Sequence, residues 1–201
     1  MSSPIKINYL KGIVICHGKS EVNMVRYITT NLHLSVKQFS KDNGKYSIQI
    51  TSLMSVMDSS PFNTLSSFTK EYPIEVIRRS SQKVLKNFKL FIIMDTDDCT
   101  PEQKEAFISK TMFQKHWLYD YIVPIYSINS LEDVLVDAQI MTKRIGDKEK
   151  VTYYAKIFPI NTHPLSPDTI SEVKTFRDKL TRTNRTNMLE FIDYCLTLIN
   201  Q

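Results

Sequence analysis

Two groups of polar and charged residues, each following an apolar run, are the parts of this sequence best suited to chemistry. The first group follows the run 13–16 and comprises His17, Gly18, Lys19, Ser20 and Glu21. The second follows the run 90–94 and comprises Asp95, Thr96, Asp97 and Asp98. An unbroken apolar run that enters a polar turn is typical of a parallel strand buried on both faces. Because ligands of open α/β sheets gather at the carboxyl ends of such strands, we expect both groups to face one crevice.

The second group indicates a divalent metal ion. Asp95, Asp97 and Asp98 place three carboxylates within four residues, where they repel one another unless a cation neutralises them. Oxygen ligands of this kind suit Mg²⁺ or Mn²⁺. Helix capping is the simpler alternative, since aspartates before a helix complement its dipole. The same alternative holds for Glu21, which is expected in the first turn of a helix.

The predicted elements that position these residues alternate between strands and helices. Ser20 is expected to cap a helix over Glu21–Asn31, and Thr100 a second helix with Pro101 at its first position and Gln103 closing a capping box. The remaining predictions are strands over 13–16, Tyr46–Val56, Lys89–Met94 and Tyr121–Tyr126, helical material over Phe62–Phe68 and Pro73–Asn87, and a helix after Ser130. This alternation predicts an α/β fold with a parallel sheet and helices on both faces.

The C-terminal part is expected to be helical. Helices are predicted over Pro167–Leu180 and Asn187–Asn200, the second with a capping pattern of Asn187 and Glu190, while Tyr153 and Tyr154 favour an edge strand. We therefore divide the chain into an α/β domain over 1–145 and a C-terminal helical extension over 146–201 that packs on it. The extension carries a set of basic residues that are candidates for nucleic-acid contact: Lys174, Arg177, Lys179, Arg182 and Arg185.

Composition sets the broad class of the protein. The 201 residues are 42% apolar and 10% aromatic, which excludes a disordered chain. The sequence has neither a stretch long enough to span a bilayer nor an apolar signal region over 1–6, so a cytoplasmic protein is expected. Cys16, Cys99 and Cys195 are far apart, which predicts free thiols. The net charge of +5 favours a polyanionic partner but is ordinary for a soluble domain.

Spacing separates this pattern from several other acidic α/β sites. A haloacid-dehalogenase-type phosphatase needs Asp-x-Asp-x-Thr near the start of the chain, whereas Thr100 comes one residue too late. A P-loop would place its first glycine at Ile13, and Gly12 is one residue out of register. A phosphorelay receiver needs an acidic pair at the end of its first strand, where this chain has His17.

The remaining pattern resembles the Toprim domain, the metal-binding module of topoisomerases, primases and small nucleases. That family carries a Glu-Gly pair after its first strand, often an acidic residue three positions after the glycine, and Asp-x-Asp after its third strand. Gly18, Glu21, Asp95 and Asp97 match these positions, and the resemblance spans about residues 11–140. Small stand-alone Toprim proteins of bacterial anti-phage defence, such as the RloB-like proteins and the nuclease half of OLD-family proteins, are similar in size and have an acidic helix start after the fourth strand.

The resemblance implies a Toprim-like sheet and a nuclease that uses Mg²⁺ or Mn²⁺ to cut DNA or RNA. Asp95 and Asp97 would hold the metal, and Asp98, Glu132 and Asp133 are candidates for a second ion. His17 or Glu21 would transfer the proton, and Lys19 would neutralise phosphate charge. The resemblance also implies a possible protein partner such as an ATPase, while the oligomeric state stays open.

One position departs from the family pattern, because the family's glutamate falls on His17. Histidine can still ligate Mn²⁺ or transfer a proton near neutral pH. Two alternatives to the nuclease therefore stay open. One is a catalytically silent module that binds nucleic acid or a protein partner on a Toprim-like scaffold. The other is a metal-dependent phosphotransferase that acts on nucleotides.

Overall fold

A computed structural model describes residues 8–145 and 147–199 of the chain as an α/β fold. Its strands are β1 (Gly12–Cys16), β2 (Val36–Phe39), β3 (Val76–Arg79), β4 (Gln82–Leu85), β5 (Lys89–Asp95) and β6 (Ile122–Ser127). Its helices are α1 (Lys19–Asn31), α2 (Ile50–Met57), α3 (Leu65–Glu71), α4 (Pro101–Ile108), α5 (Leu131–Asp137), α6 (Asp147–Ile157), α7 (Pro167–Leu180) and α8 (Leu189–Leu198). The predicted parallel sheet flanked by helices, with a helical C-terminal part, is confirmed.

The order of the strands places the two polar groups side by side. The main sheet has the order β2-β1-β5-β6, and all of its neighbouring strands are parallel. The chain leaves β1 toward β2 on one side and later returns to β5 on the other side, so the direction of winding reverses between β1 and β5. Crevices that bind ligands open at such a switch point, at the carboxyl ends of the strands. Cys16 pairs with Ile93 in the register, so both strands end beside each other.

Side chains of the two central strands alternate between two hydrophobic cores. Val14 and Phe91 face the core formed with α1, α5, α7 and α8, whereas Ile15 and Ile92 face the core formed with α2, α3 and α4. This period of two follows from the strand pleat. All five residues of β1 are buried, which explains why its sequence is apolar without interruption.

The C-terminal helices belong to the first of these cores. The rings of Phe91 in β5 and Phe191 in α8 have their centroids 5.1 Å apart, and Tyr27 in α1 lies 5.8 Å from Phe176 in α7. The buried Asn31 side chain also donates to the carbonyl of Pro159 at 2.9 Å. The extension therefore packs on the sheet through shared side chains, and the boundary residue 146 lies outside the described residues.

Several helix ends follow the predicted capping. Thr100 accepts a hydrogen bond from the amide of Gln103, whose side chain accepts one from the amide of Thr100, so the predicted capping box of α4 is confirmed. Ser130 caps α5, and α7 has the predicted bounds. These ends depend on contacts within one helical turn, which is why the local sequence predicts them.

The predicted strand over Tyr46–Val56 is wrong. Residues Ile50–Met57 form α2, and the edge strand of the sheet is β2. Ile50, Leu53 and Met57 are buried, and their spacing of three and four is helical. The alternation of Ile48 and Ile50 was therefore too short to identify a strand. The residues of β2 are half-buried or exposed, so the strand has no strong apolar pattern.

The predicted helix over Pro73–Asn87 is also wrong, because this segment forms the antiparallel hairpin of β3 and β4. β-Branched Val76, Ile77 and Val84 favour a strand, and Ser80 takes the left-handed conformation that turns the chain. The predicted helix over Phe62–Phe68 is displaced, since α3 begins at Leu65.

Three further local predictions are wrong, one of them because of a tertiary contact. Gly18 rather than Ser20 is the N-cap of α1. Asn187 does not cap α8, because its side chain accepts from the amide of Tyr126 and donates to the carbonyl of Pro124 in β6, each at 2.9 Å. Tyr154 lies in α6 rather than in an edge strand.

Over residues 8–145 and 147–199, no helix is both long and apolar enough to cross a bilayer. Residues 1–6, on which the expectation about a signal region depends, and Asn200 at the end of the predicted last helix lie outside the described residues. Cys16, Cys99 and Cys195 are free, as predicted.

Candidate functional site

Glu21 enters the site from the first turn of α1. Its side chain is buried, with 1% of the residue exposed, and its Oε2 accepts a hydrogen bond from the amide of Gly18 at 2.8 Å. The carboxyl group thus satisfies a backbone donor that the helix leaves open, which is the simple capping role that the sequence also allowed. This contact fixes Glu21 over the carboxyl end of β1.

Asp95 is the last residue of β5 and is held from the neighbouring strand-helix unit. Its Oδ1 accepts a hydrogen bond from the amide of Leu131, the first residue of α5, at 3.0 Å. In the sheet register Asp95 lies opposite Ser127, the last residue of β6. Asp95 is therefore fixed at the carboxyl end of the sheet by backbone groups of both β6 and α5.

The structure brings Glu21 and Asp95 together. Burial raises the pKa of Asp95 to about 9, and the negative charges of Glu21 and Asp97 add to this rise. Burial also raises the pKa of Glu21, while the nearby His17 opposes the rise. Removal from water and mutual repulsion both favour the protonated forms of these two carboxyl groups unless a cation compensates their charge.

Two polar atoms at this site have no hydrogen-bond partner. Among the described residues, the buried side-chain nitrogen and oxygen atoms without a hydrogen-bond partner are His17 Nδ1 and Ser127 Oγ. The Ser127 hydroxyl lies close enough to Asp95 to oppose the rise of its pKa, without reaching hydrogen-bonding geometry. Because buried polar groups are normally satisfied, these two atoms are available to a further polar group.

The donor set fits a hard divalent cation. Within the described residues, no three His, Cys, Asp or Glu side chains already stand at the spacing of a metal site. Mg²⁺ is commonly bound through one or two carboxylates and keeps several waters, and Glu21 and Asp95 supply two carboxylates within electrostatic range of each other. The buried Ser127 hydroxyl adds a neutral oxygen there.

Asp97 and Asp98 lie at the rim of this site. Both are exposed, and Asp97 is near enough to raise the pKa of Asp95. Asp98 accepts a hydrogen bond from Gln49 Nε2 at 2.7 Å, which joins the acidic turn to the segment before α2. Asp97 is thus the better placed of the two to share a ligand with Asp95.

Glu132 and Asp133 lie in the first turn of α5, and each is paired with a cation. Glu132 Oε1 contacts Lys150 Nζ at 2.9 Å and accepts from the Tyr154 hydroxyl at 3.1 Å. Arg144 Nε donates to Asp133 Oδ1 at 2.6 Å. Burial disfavours ionisation of Asp133, but Arg144 outweighs it and lowers the pKa. The two candidates for a second ion therefore already have counter-charges.

Sequence reasoning missed Ser127, Lys150, Tyr154 and Arg144. Ser127 could have been found, because it ends a predicted strand as Asp95 does. Lys150 and Tyr154 are four residues apart in α6, and the charge of Glu132 raises the pKa of Tyr154 further after burial. Their place at the site depends on how α6 packs, which spacing alone does not reveal.

Most of the predicted basic residues are engaged within the chain. Arg177 Nε pairs with Asp193 at 2.8 Å, Arg182 donates to Gln139 at 3.3 Å, and Arg185 lies 3.6 Å from Asp137. Lys179 is half-buried and lines a cavity of about 400 Å³ with Glu172, whereas Lys174 is exposed. The ion pairs reduce the positive charge that this segment offers to a phosphate backbone.

Lys19 and His17 flank the turn that carries Glu21. Lys19 is the exposed first residue of α1. His17 is half-buried, its carbonyl accepts from the amide of Ile48 at 2.8 Å, and its own amide donates to Ile93 at 3.0 Å. Both residues of the first polar group therefore lie at the same end of the sheet as Asp95.

Comparisons of the chain with protein-family models, with curated proteins and with solved structures gave no match.

Proposed function

We propose that this protein is a nuclease that uses Mg²⁺ or Mn²⁺ to cleave DNA or RNA, on a Toprim-like scaffold. The observation that carries the proposal is the pair of the buried Glu21 and the half-buried Asp95 at the switch point of the sheet, whose negative charges oppose each other. Withdrawing two like charges from water destabilises a fold, and a divalent cation turns their repulsion into binding energy. Asp97 and the orphaned Ser127 hydroxyl support the same assignment.

The roles of the residues follow from their positions. Asp95 and Asp97 would hold the cation, with Glu21 beside them, and the ion would supply polarisation of a phosphodiester and a more acidic water. His17 or Glu21 would take up the proton, since an imidazole nitrogen can accept one and burial raises the pKa of the Glu21 carboxyl. Lys19 would neutralise phosphate charge at the exposed start of α1.

A second ion is a weaker part of the proposal. Asp98, Glu132 and Asp133 are its candidate ligands, but Glu132 and Asp133 would first have to leave Lys150 and Arg144. Asp98 would have to leave Gln49. One-ion chemistry at Glu21 and Asp95 is therefore the core of the proposal.

We further propose a setting in the cytoplasm of a bacterial cell and a role in anti-phage defence. This part depends on the resemblance of Gly18, Glu21, Asp95 and Asp97 to stand-alone Toprim proteins. The resemblance also makes a protein partner such as an ATPase part of the proposal.

A catalytically silent binding module is the second candidate function. It is favoured by His17 in the place of the family's glutamate and by the ion pairs that neutralise Glu132 and Asp133. Such a module would bind nucleic acid or a protein partner without cutting.

Cleavage assays on single- and double-stranded DNA and RNA, with Mg²⁺, Mn²⁺ or chelator, separate the two candidates. A nuclease loses metal-dependent cleavage in Asp97→Ala and keeps most of its affinity for nucleic acid, because basic residues supply that affinity. His17→Ala should lose about a hundredfold in rate and change the pH profile if the imidazole moves the proton. His17→Glu should keep or raise activity if the position binds the metal. Wild-type protein that binds but never cuts would establish the silent module.

A further inference from the structure

An exposed aromatic ring stands between lysines in the loop that precedes α2. Tyr46 is 52% exposed, with Lys45 Nζ 5.4 Å and Lys41 Nζ 6.0 Å from the centroid of its ring. Exposed cation–π contacts of this kind are weak, so the ammonium groups stay available to other ligands. Lys45 also lies 4.0 Å from Asp42, but exposed ion pairs add little. We call residues 40–47 the Tyr46 loop.

The Tyr46 loop lies directly on the turn that carries Glu21. Gly44 packs against the start of α1 so closely that a Cβ there would stand 2.9 Å from the Cα of Lys19. The amide of Ile48, just after the loop, donates to the carbonyl of His17 at 2.8 Å. The next residue, Gln49, holds Asp98. The loop thus touches the first polar group of the candidate site, and the two residues that follow it hydrogen-bond to His17 and Asp98.

The backbone of the loop is held in an uncommon shape. Asp42, Asn43 and Gly44 have φ values of 48°, 54° and 82°. Asp and Asn tolerate this left-handed region better than other side chains, and glycine adopts it freely. Strained backbone of this kind concentrates at functional sites. The amide of Lys45 donates to the carbonyl of Asp42 at 3.0 Å, which closes the turn before Tyr46.

We infer that the Tyr46 loop is a platform for single-stranded nucleic acid, in which Tyr46 stacks on a base while Lys41 and Lys45 contact phosphates. Aromatic rings bind any base because every base has a π-face, and lysines along the strand bind its backbone. The carboxylates at the centre of the site repel phosphates, so a cationic edge beside them is needed to retain a strand. The inference deepens the proposed function by naming the strandedness of the substrate and its point of contact.

The test measures binding in chelator, where cleavage does not interfere. The probe is a fluorescein-labelled dT oligonucleotide, and its anisotropy is followed over a range of salt concentrations. Tyr46→Ala should weaken binding about tenfold, and Tyr46→Phe should bind as wild type because it keeps the ring. Lys45→Ala should weaken binding and lower the slope against log salt by about 1. Lys70→Ala is the matched control, since Lys70 is an exposed lysine on α3, outside both the Tyr46 loop and the candidate site, and it should bind as wild type.

The outcomes distinguish this inference from the proposed function. Equal affinity of wild type and Tyr46→Ala, or no binding by wild type, would overturn the platform even if the enzyme cuts. An equal loss in Lys70→Ala would also overturn it, because binding would then follow general charge. Binding that depends on Tyr46 in a protein that never cuts would support the platform and refute the nuclease. Because Tyr46 is exposed, its replacement should leave the fold intact. Circular dichroism spectra of each variant check this.

Discussion

The positions of the Glu21 and Asp95 carboxyl groups are electrostatically favourable in one respect and unfavourable in another. Glu21 accepts a hydrogen bond from the amide of Gly18, the N-cap of α1, and Asp95 accepts one from the amide of Leu131, the first residue of α5. Capping places both groups at helix N-termini, where negative charge is favourable. Their burial against each other is unfavourable, as the raised pKa of Asp95 shows. A capping role alone would not require the two carboxyl groups to be adjacent.

Replacing Asp95 with asparagine should stabilise the metal-free protein at high pH. The pKa of Asp95 in the fold, about 9, lies above its value in the unfolded chain, about 3.9. The unfolded state therefore ionises first, so stability falls as pH rises from about 4 to about 9. Asp95→Asn removes this fall and keeps the acceptor for Leu131. Urea unfolding in chelator should show a gain of at least about 2 kcal/mol at pH 8 and little at pH 4.

Asp98→Asn is the matched control for this prediction, since Asp98 is exposed and should give no such gain. A gain for Asp95→Asn that is the same at both pH values would contradict the assignment of the effect to this carboxyl group.

In the presence of a divalent metal, the wild type and not Asp95→Asn should be the more stable protein. Mg²⁺ or Mn²⁺ binds the native arrangement and raises the unfolding temperature of the wild type, because ligation removes the repulsion between Glu21 and Asp95. Asp95→Asn should show little or no such rise. Thermal unfolding followed by circular dichroism, with metal or chelator, measures both. An unfolding temperature that metal leaves unchanged in wild type would count against the site.

At the scale of the element, the turns that follow β1 and β5 determine where the polar residues at the strand ends lie. The turn after β1 is held by the hydrogen bond from the amide of Ile48, just after the Tyr46 loop, to the carbonyl of His17. The acidic turn after β5 lies between that buried strand and the capped start of α4. Gly18 matches the glycine of the Toprim pattern, yet its φ of −154° is extended backbone that any residue adopts. Gly44 is not part of the Toprim pattern but stands in the turn signal of residues 42–45, and it is the glycine that the turn needs.

Alanine should therefore be tolerated at Gly18 and not at Gly44. A Cβ at Gly18 would meet Glu21 and Ser47 at 3.5 and 3.6 Å, which is ordinary contact. A Cβ at Gly44 would combine a φ of 82° with a 2.9 Å clash against the backbone of Lys19. We expect Gly44→Ala to lower the free energy of unfolding by more than about 1 kcal/mol and Gly18→Ala to change it by less. Urea unfolding of both variants is the measurement, and equal losses would contradict it.

At the scale of the whole molecule, the sheet joins two cores into one structure. Phe191 of α8 packs on Phe91 on one face, while Trp117 lies against the core of the other face. Trp117 Nε1 donates to the carbonyl of Phe62 at 2.7 Å, so its fluorescence reports on that second core. The chain has one tryptophan, which makes this signal specific.

Phe191→Ala should destabilise both cores together. Removing a fully buried ring costs about 3–5 kcal/mol, and the shared sheet should transmit the loss across both faces. Urea unfolding followed by Trp117 fluorescence and by circular dichroism should shift to the same lower midpoint. Phe191→Leu, which fills more of the space, should shift both less. A Trp117 transition that stays at the wild-type midpoint would show that the extension unfolds by itself.

The sequence by itself determined the elements that depend on neighbours in the chain. The buried strands β1, β5 and β6 and the capped starts of α4, α5 and α7 follow from apolar runs and from side chains within one turn. The carboxyl ends of parallel strands meet at one edge of a sheet. This rule predicts that Asp95 and Glu21 lie near each other, because it depends only on the order and direction of the strands.

Only the tertiary structure decided the rest, since the deciding contacts join distant residues. Asn187 does not cap its own helix but hydrogen-bonds to Tyr126 and Pro124 of β6, which precede it in the chain by 61 and 63 residues. Lys150 and Tyr154 reach Glu132 only because α6 packs beside α5. The weak edge strand β2 is specified by its pairing with β1 rather than by its own residues. Local propensity is a small energy, and burial and long-range hydrogen bonds outweigh it wherever the two conflict.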